Sequence, residues 1–206
     1  MNDTVILKKL MEQYGEQILP IDVFPKAYCP GGISNVKAIY LGCDPSNKHS
    51  TNLPFAFAHE SDLKIFNSFI KTHTEQLMQI KLNWNDVYAQ NLCRNYFRDE
   101  TSKNIIWKTV AKEFWIDKLK DELVQFDAEI PILLTSSYLY DVLVTCKKNK
   151  PIEFYECRQE IPIPSEDNKL SRPLIPFYRN RRKVDYHLSN ERWCTYKETI
   201  INNLNL

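Results

Sequence analysis

Nowhere in these 206 residues is there an apolar run long enough to cross a membrane. The opening Met1-Asn-Asp-Thr4 also lacks the basic-then-apolar profile of a secretory signal, so a cytoplasmic protein is expected. Cys-x-x-Cys pairs are missing. The six cysteines (Cys29, Cys43, Cys93, Cys146, Cys157, Cys194) are scattered, which leaves zinc and iron–sulfur sites without support and fits reduced intracellular thiols. The four histidines form no pair with metal-ligand spacing. His49 reads as a solvated loop residue, His59 as the cap of a following helix, and His73 as part of a surface-like stretch. Ser136 and Ser137 lack the G-x-S-x-G elbow of a serine hydrolase. Nor does one sign of charge dominate: 27 Lys and Arg against 26 Asp and Glu argue against polyanion binding over the whole surface, while leaving room for a local basic face. Repeats, low-complexity tracts and long linkers are also missing, so residues 1–206 are expected to form one domain with a sizeable core.

What is present is alternation. Thr4 to Ile18 carries apolar residues at helical spacing behind the capping candidates Asn2 and Asp3. A Pro/Gly loop covers residues 20–35, and Val36 to Leu41 reads as a buried strand. Helical patterns follow at Glu60–Ile80, Ile105–Phe126 and Ser137–Val144, with strands expected at Val87–Leu92, Ile130–Leu134 and Leu174–Tyr178. Ile152 to Ile163 alternates and predicts a further strand or hairpin; Ser189 opens a last helix. Strands alternating with helices predict a mostly parallel four-stranded sheet sandwiched in three α/β/α layers.

The residues able to do chemistry gather at predicted strand ends. Ala38-Ile-Tyr-Leu-Gly-Cys-Asp-Pro-Ser46 ends an apolar run in Gly42, expected to permit a tight turn, and then presents Asp44 before Pro45. Phe57 comes one loop later, in Pro54-Phe-Ala-Phe57. Asn91 closes the second strand, Thr135-Ser-Ser137 the third, and Tyr178-Arg-Asn180 the fourth. In a parallel sheet these carboxyl ends share one edge, where open α/β sheets keep their ligands. A carboxylate beside a stacking ring suits a flat heterocycle with positive charge developing next to it, and the Asn91 amide carries the donor and acceptor that the edge of a pyrimidine needs. A strand followed by an ordinary Asp-Pro turn, and a turn asparagine, account for the same residues taken singly. Late in the chain Arg172, Arg179, Arg181, Arg182, Lys183 and Arg192 interleave with Phe177, Tyr178, Tyr186 and Trp193, a pattern that can neutralise phosphates and stack on bases, or simply form a solvated face.

On these residues the chain resembles the uracil-DNA glycosylase superfamily. Ile39-Tyr-Leu-Gly-Cys-Asp-Pro-Ser46 is similar to its first motif, Pro54-Phe-Ala-Phe57 to its base-stacking segment, Tyr88-Ala-Gln-Asn-Leu92 to its base-reading strand, and Leu174-Ile-Pro-Phe-Tyr-Arg-Asn180 to its second motif. The resemblance implies hydrolysis of the N-glycosidic bond of a base flipped out of DNA, by a monomer without metal or organic cofactor. It further implies that Asp44 directs the attacking water and stabilises the oxocarbenium-like sugar, that Phe57 stacks on the base, and that Asn91 reads its edge. Backbone amides after Cys43 would receive the base oxygen. Arg179, Arg181, Arg182 and Lys183 would grip phosphates of single- or double-stranded DNA, with Phe177 or Tyr178 as a wedge. Two departures follow from the same register. Ser46 replaces the tyrosine that excludes a C5 methyl in the best-known branch, so more room is expected there. Asn180 replaces a histidine, and an asparagine can donate a hydrogen bond but cannot become cationic. The alternatives are a catalytically weak or inactive nucleic-acid- or nucleotide-binding protein on the same fold and, third, a hydrolase of small nucleosides.

Overall fold

A computed structural model of the chain describes residues 3–45, 52–146, 151–155, 159–178 and 190–204. Four short strands form its centre: β1 (Ala38–Gly42), β2 (Val87–Asn91), β3 (Ile132–Leu134) and β4 (Leu174–Pro176), every residue of them buried. They pair in the order β2-β1-β3-β4, and every pairing is parallel. Continuous apolar runs, rather than alternation, are what a sheet covered on both faces requires. The contacts across the sheet bear this out. Tyr88 of β2 donates its hydroxyl to Glu122 on one face, while Tyr40 of β1 meets His73 on the other, with its hydroxyl 2.6 Å from Nδ1.

The helices that supply those contacts are α2 (Asn67–Gln79) and a composite helix made of α3 (Trp107–Val110), a widened π turn (Ala111–Trp115) and α4 (Ile116–Leu123). The chain begins with α1 (Asp3–Tyr14), whose buried Ile6 and Leu10 face the core. It ends at Tyr14, short of Ile18; just past that end a Cβ on Gly15 would sit 2.6 Å from the Met11 carbonyl oxygen. Later come α5 (Ser137–Leu143), capped by the Ser136 hydroxyl accepting from the Tyr138 N–H at 3.2 Å, then α6 (Pro151–Tyr155) and α7 (Asn190–Asn203). No helix among the described residues is long and apolar enough to cross a membrane.

Several expectations need correcting. Residues 151–155 are helical, opened by a proline at the position helices tolerate best, and not a strand. Of the hairpin expected up to Ile163, what forms among the described residues is one antiparallel bridge between Ile163 and Leu174, with N···O distances of 2.8 and 3.1 Å. The helix expected from Glu60 starts only at Asn67, after a 3₁₀ turn at Lys64–Phe66. The delay has a local cause: Phe57, Ala58 and Glu60 all adopt left-handed backbone angles (φ 57°, 59° and 56°), which no right-handed helix accommodates.

Candidate active site at the carboxyl edge of the sheet

Because all four strands run the same way, their carboxyl ends meet at one edge, and ladder-like hydrogen bonds continue just beyond it. Leu92 N–H donates to the Gly42 carbonyl at 2.8 Å, Cys93 N–H to Cys43 at 2.9 Å, and Phe177 N–H to Leu134 at 2.7 Å. Thr135 ties β3 to β1 twice, through its N–H (3.2 Å) and its hydroxyl (2.8 Å), both to the Leu41 carbonyl. These bonds tie Cys43 to the segment after β2, with Asp44 the next residue along the edge.

Gly42 has a different role from the one expected. It does not lie in the left-handed region; what matters is the space it leaves. A Cβ at this position would collide with the Asn91 side-chain oxygen and lie 3.0 Å from Cζ of Phe57. The glycine therefore brings the Asn91 amide and the tip of the Phe57 ring together at one point beside β1. Phe57 is 7% exposed and Asn91 5%. The ring is held by Tyr40 (centroids 4.9 Å apart), His73 (5.1 Å) and Trp84 (6.0 Å). Three left-handed residues within 57–60 cost roughly 1–2 kcal/mol each, strain of a kind that collects at functional sites.

Asp44 is half-buried, yet surrounded deeply enough that burial pushes its carboxyl up from the ordinary 3.8 to about 7. Two donors oppose that shift. The Thr101 hydroxyl donates to Oδ1, and the Trp107 indole N–H lies close enough to favour the charged form without completing a well-formed hydrogen bond. The other titratable neighbours are the Cys43 and Cys93 thiols, both pushed up by burial and by the nearby carboxyl, and therefore neutral. Cys43 also interacts with the Ser136 side chain. At neutral pH Asp44 is thus divided between acid and base forms, the condition in which a carboxyl accepts a proton most usefully. No cluster of three or more His, Cys, Asp or Glu among the described residues is arranged to hold a metal ion.

Of the sequence-derived set, the structure brings Phe57 and Asn91 together beside Gly42 and places Cys43 and Asp44 just beyond it on the same edge. Ser46, His49, Arg179, Asn180, Arg181, Arg182, Lys183 and His187 lie outside the described residues. Four other expectations are overturned. Phe177 and Tyr178 are 1% and 6% exposed, Phe177 lying near Trp193 and Tyr178 near Tyr155, so neither ring is available as a wedge. Arg172 is not part of a basic face; it is buried and donates to the carbonyls of Leu123 (2.6 Å), Phe126 (2.7 Å) and Asp127 at the end of α4. His73 is buried against Tyr40, and His59 does not cap the following helix: it ends the 3₁₀ turn Ala56–Ala58 and stacks flat on Tyr28 at 3.8 Å, where burial lowers its pKa to about 4. Thr101 and Trp107 are not among the site residues the sequence suggests; Trp107 reads there only as an apolar residue of the helix Ile105–Phe126. Their only signal was membership of the segment after Asn91, which the parallel topology returns to the same edge.

Comparison with protein-family models, with curated proteins and with solved structures finds no match to this chain.

Proposed function

We propose that this chain is a DNA glycosylase on a uracil-DNA glycosylase-like fold, hydrolysing the bond between deoxyribose and uracil or another altered base flipped out of DNA. The observation that carries the reading is a half-buried carboxyl, Asp44, with its pKa raised to about 7, two residues beyond the point where Phe57 and Asn91 meet beside Gly42 at the same carboxyl edge. In the reaction, ionised Asp44 takes a proton from water as the water oxygen bonds to C1′. The C1′–N bond breaks with its electron pair going to the base, which then takes up a proton from solvent. The Asp44 charge favours the positive sugar more than the neutral substrate, so its effect falls on turnover rather than affinity. Asn91 supplies a donor and an acceptor to the base edge, and Phe57 the apolar ring beside it.

An abasic-site cleavage assay on oligonucleotides carrying a panel of altered bases tests the reading. Excision of at least one base, lost on the order of a hundred-fold or more in Asp44→Asn with DNA affinity retained, is the expected result. Wild-type turnover in the variant would remove Asp44 from the chemistry. Binding without any excision would favour the second reading, a nucleic-acid-binding protein without activity, to which the asparagine at position 180 points.

A further inference from the structure

The segment following Asn91 reaches Asp44 twice, through Thr101 and through Trp107, and the chain between them is built rather than slack. Lys103 N–H donates to the Glu100 carbonyl at 2.8 Å, and the Asn104 side-chain oxygen accepts from the Ile106 N–H at 3.0 Å. Trp107 is 1% exposed, its ring edge-on to Tyr138 at 6.3 Å, and its indole N–H finds no well-formed acceptor among the described residues. A buried donor of this kind is costly to keep unless something accepts from it. Its neighbour is the Asp44 carboxyl, whose Oδ1 already accepts from Thr101.

We propose that Thr101 fixes the Asp44 carboxylate while the Trp107 indole N–H holds the water that Asp44 activates. The proposal rests on the glycosylase reading for its chemistry. Water has two lone pairs and two protons, and the arrangement uses them in a definite way. One lone pair accepts from Trp107 Nε1, one proton is given to the free oxygen of Asp44, and the remaining lone pair attacks C1′. Transfer of that proton to Asp44 accompanies C–O bond formation, and the departing base leaves with the C–N electron pair. Trp107 touches the nucleophile; Thr101 acts only through Asp44 and is a positioning residue.

Trp107→Phe keeps the ring's packing and removes the donor. Its kcat is expected to fall about 10- to 100-fold with KM nearly unchanged, and its melting temperature to hold or rise, because a buried N–H without a protein partner has gone. Thr101→Val should move the acid limb of the pH–rate profile upward, and Thr101→Ser should restore it; Cys43 and Cys93, the other titratable groups facing the carboxyl, stay neutral throughout. Wild-type kcat in Trp107→Phe, or a kcat loss matched by a loss of stability, would overturn the proposal. A second measurement needs no substrate: the Trp107 indole proton of the free protein should show a nuclear Overhauser cross-peak to bound water that disappears in Asp44→Asn. Absence of that cross-peak overturns the water site even in an active enzyme. Its presence in a protein that excises no base upholds the water site and refutes the glycosylase reading instead.

Discussion

Asp44 is where residue chemistry and stability pull in opposite directions. A carboxyl with a folded-state pKa of about 7, against 3.8 when unfolded, binds a proton more tightly in the folded chain. The stability this contributes is fully present below the unfolded value and is lost as pH rises through about 7. Above that pH the ionised group is a net cost. Asp44→Asn should therefore raise stability at pH 8 by on the order of 1–3 kcal/mol, after discounting for solvent contact, or roughly 2–10 °C in Tm. The gap should narrow toward pH 4; thermal melts at both pH values check the sign, and a variant less stable than wild type at pH 8 would contradict it. Catalysis should follow the opposite limb. If the ionised form is the base, excision should rise about tenfold between pH 6 and pH 8 and level off beyond, a profile measurable under single-turnover conditions.

At the level of elements, the composite helix from Trp107 to Leu123 is the part that both supports the sheet and reaches the site. Trp107 stands at its start beside Asp44, while Arg172 closes its far end by donating to the carbonyls of Leu123, its last residue, and of Phe126 just beyond. Arg172→Met removes a buried charge-assisted set of bonds and should destabilise the protein by about 2–4 kcal/mol. DNA affinity measured below the melting temperature should be unaffected, because the guanidinium faces a helix end and not a ligand. A variant that melted normally but bound DNA more weakly would return Arg172 to the basic surface. The strained turn at 57–60 is the other element with a cost attached, and the network of Tyr40, His73 and Trp84 around Phe57 is what holds it.

For the molecule as a whole, charge gives the sharpest test of the nucleic-acid reading. With a net charge of +1, any attraction to phosphates must come from a local cluster. Replacing Arg181 and Arg182 by Ala should weaken DNA binding across all sequences and lower the slope of log affinity against log salt by about two. Fluorescence anisotropy at several salt concentrations reads both quantities; a slope indifferent to the replacement would take these two arginines off the phosphate backbone.

The sequence was sufficient for properties that depend on near neighbours. Apolar runs marked all four strands to within two residues, and helical spacing marked the longer helices, because burial on both faces or on one stripe leaves a periodic trace. Once the strands were taken as parallel, the gathering of Asp44, Asn91 and Thr135 at one edge followed, since parallel strands have their carboxyl ends on the same side. Periodicity needs length, however, and the five residues of α6 make barely more than one turn, so they read as an alternating strand. What packs over a residue leaves no trace beside it in the chain. Arg172 reads as part of a charge run, Phe177 and Tyr178 as exposed aromatics, His59 as a helix cap and His73 as polar surface, until helices and loops distant in sequence cover them. The strand order β2-β1-β3-β4 and the arrival of Thr101 and Trp107 at Asp44 were likewise decided only by the tertiary structure. So was the role of Gly42, because a missing Cβ matters only through the Phe57 and Asn91 atoms that approach across the gap it leaves.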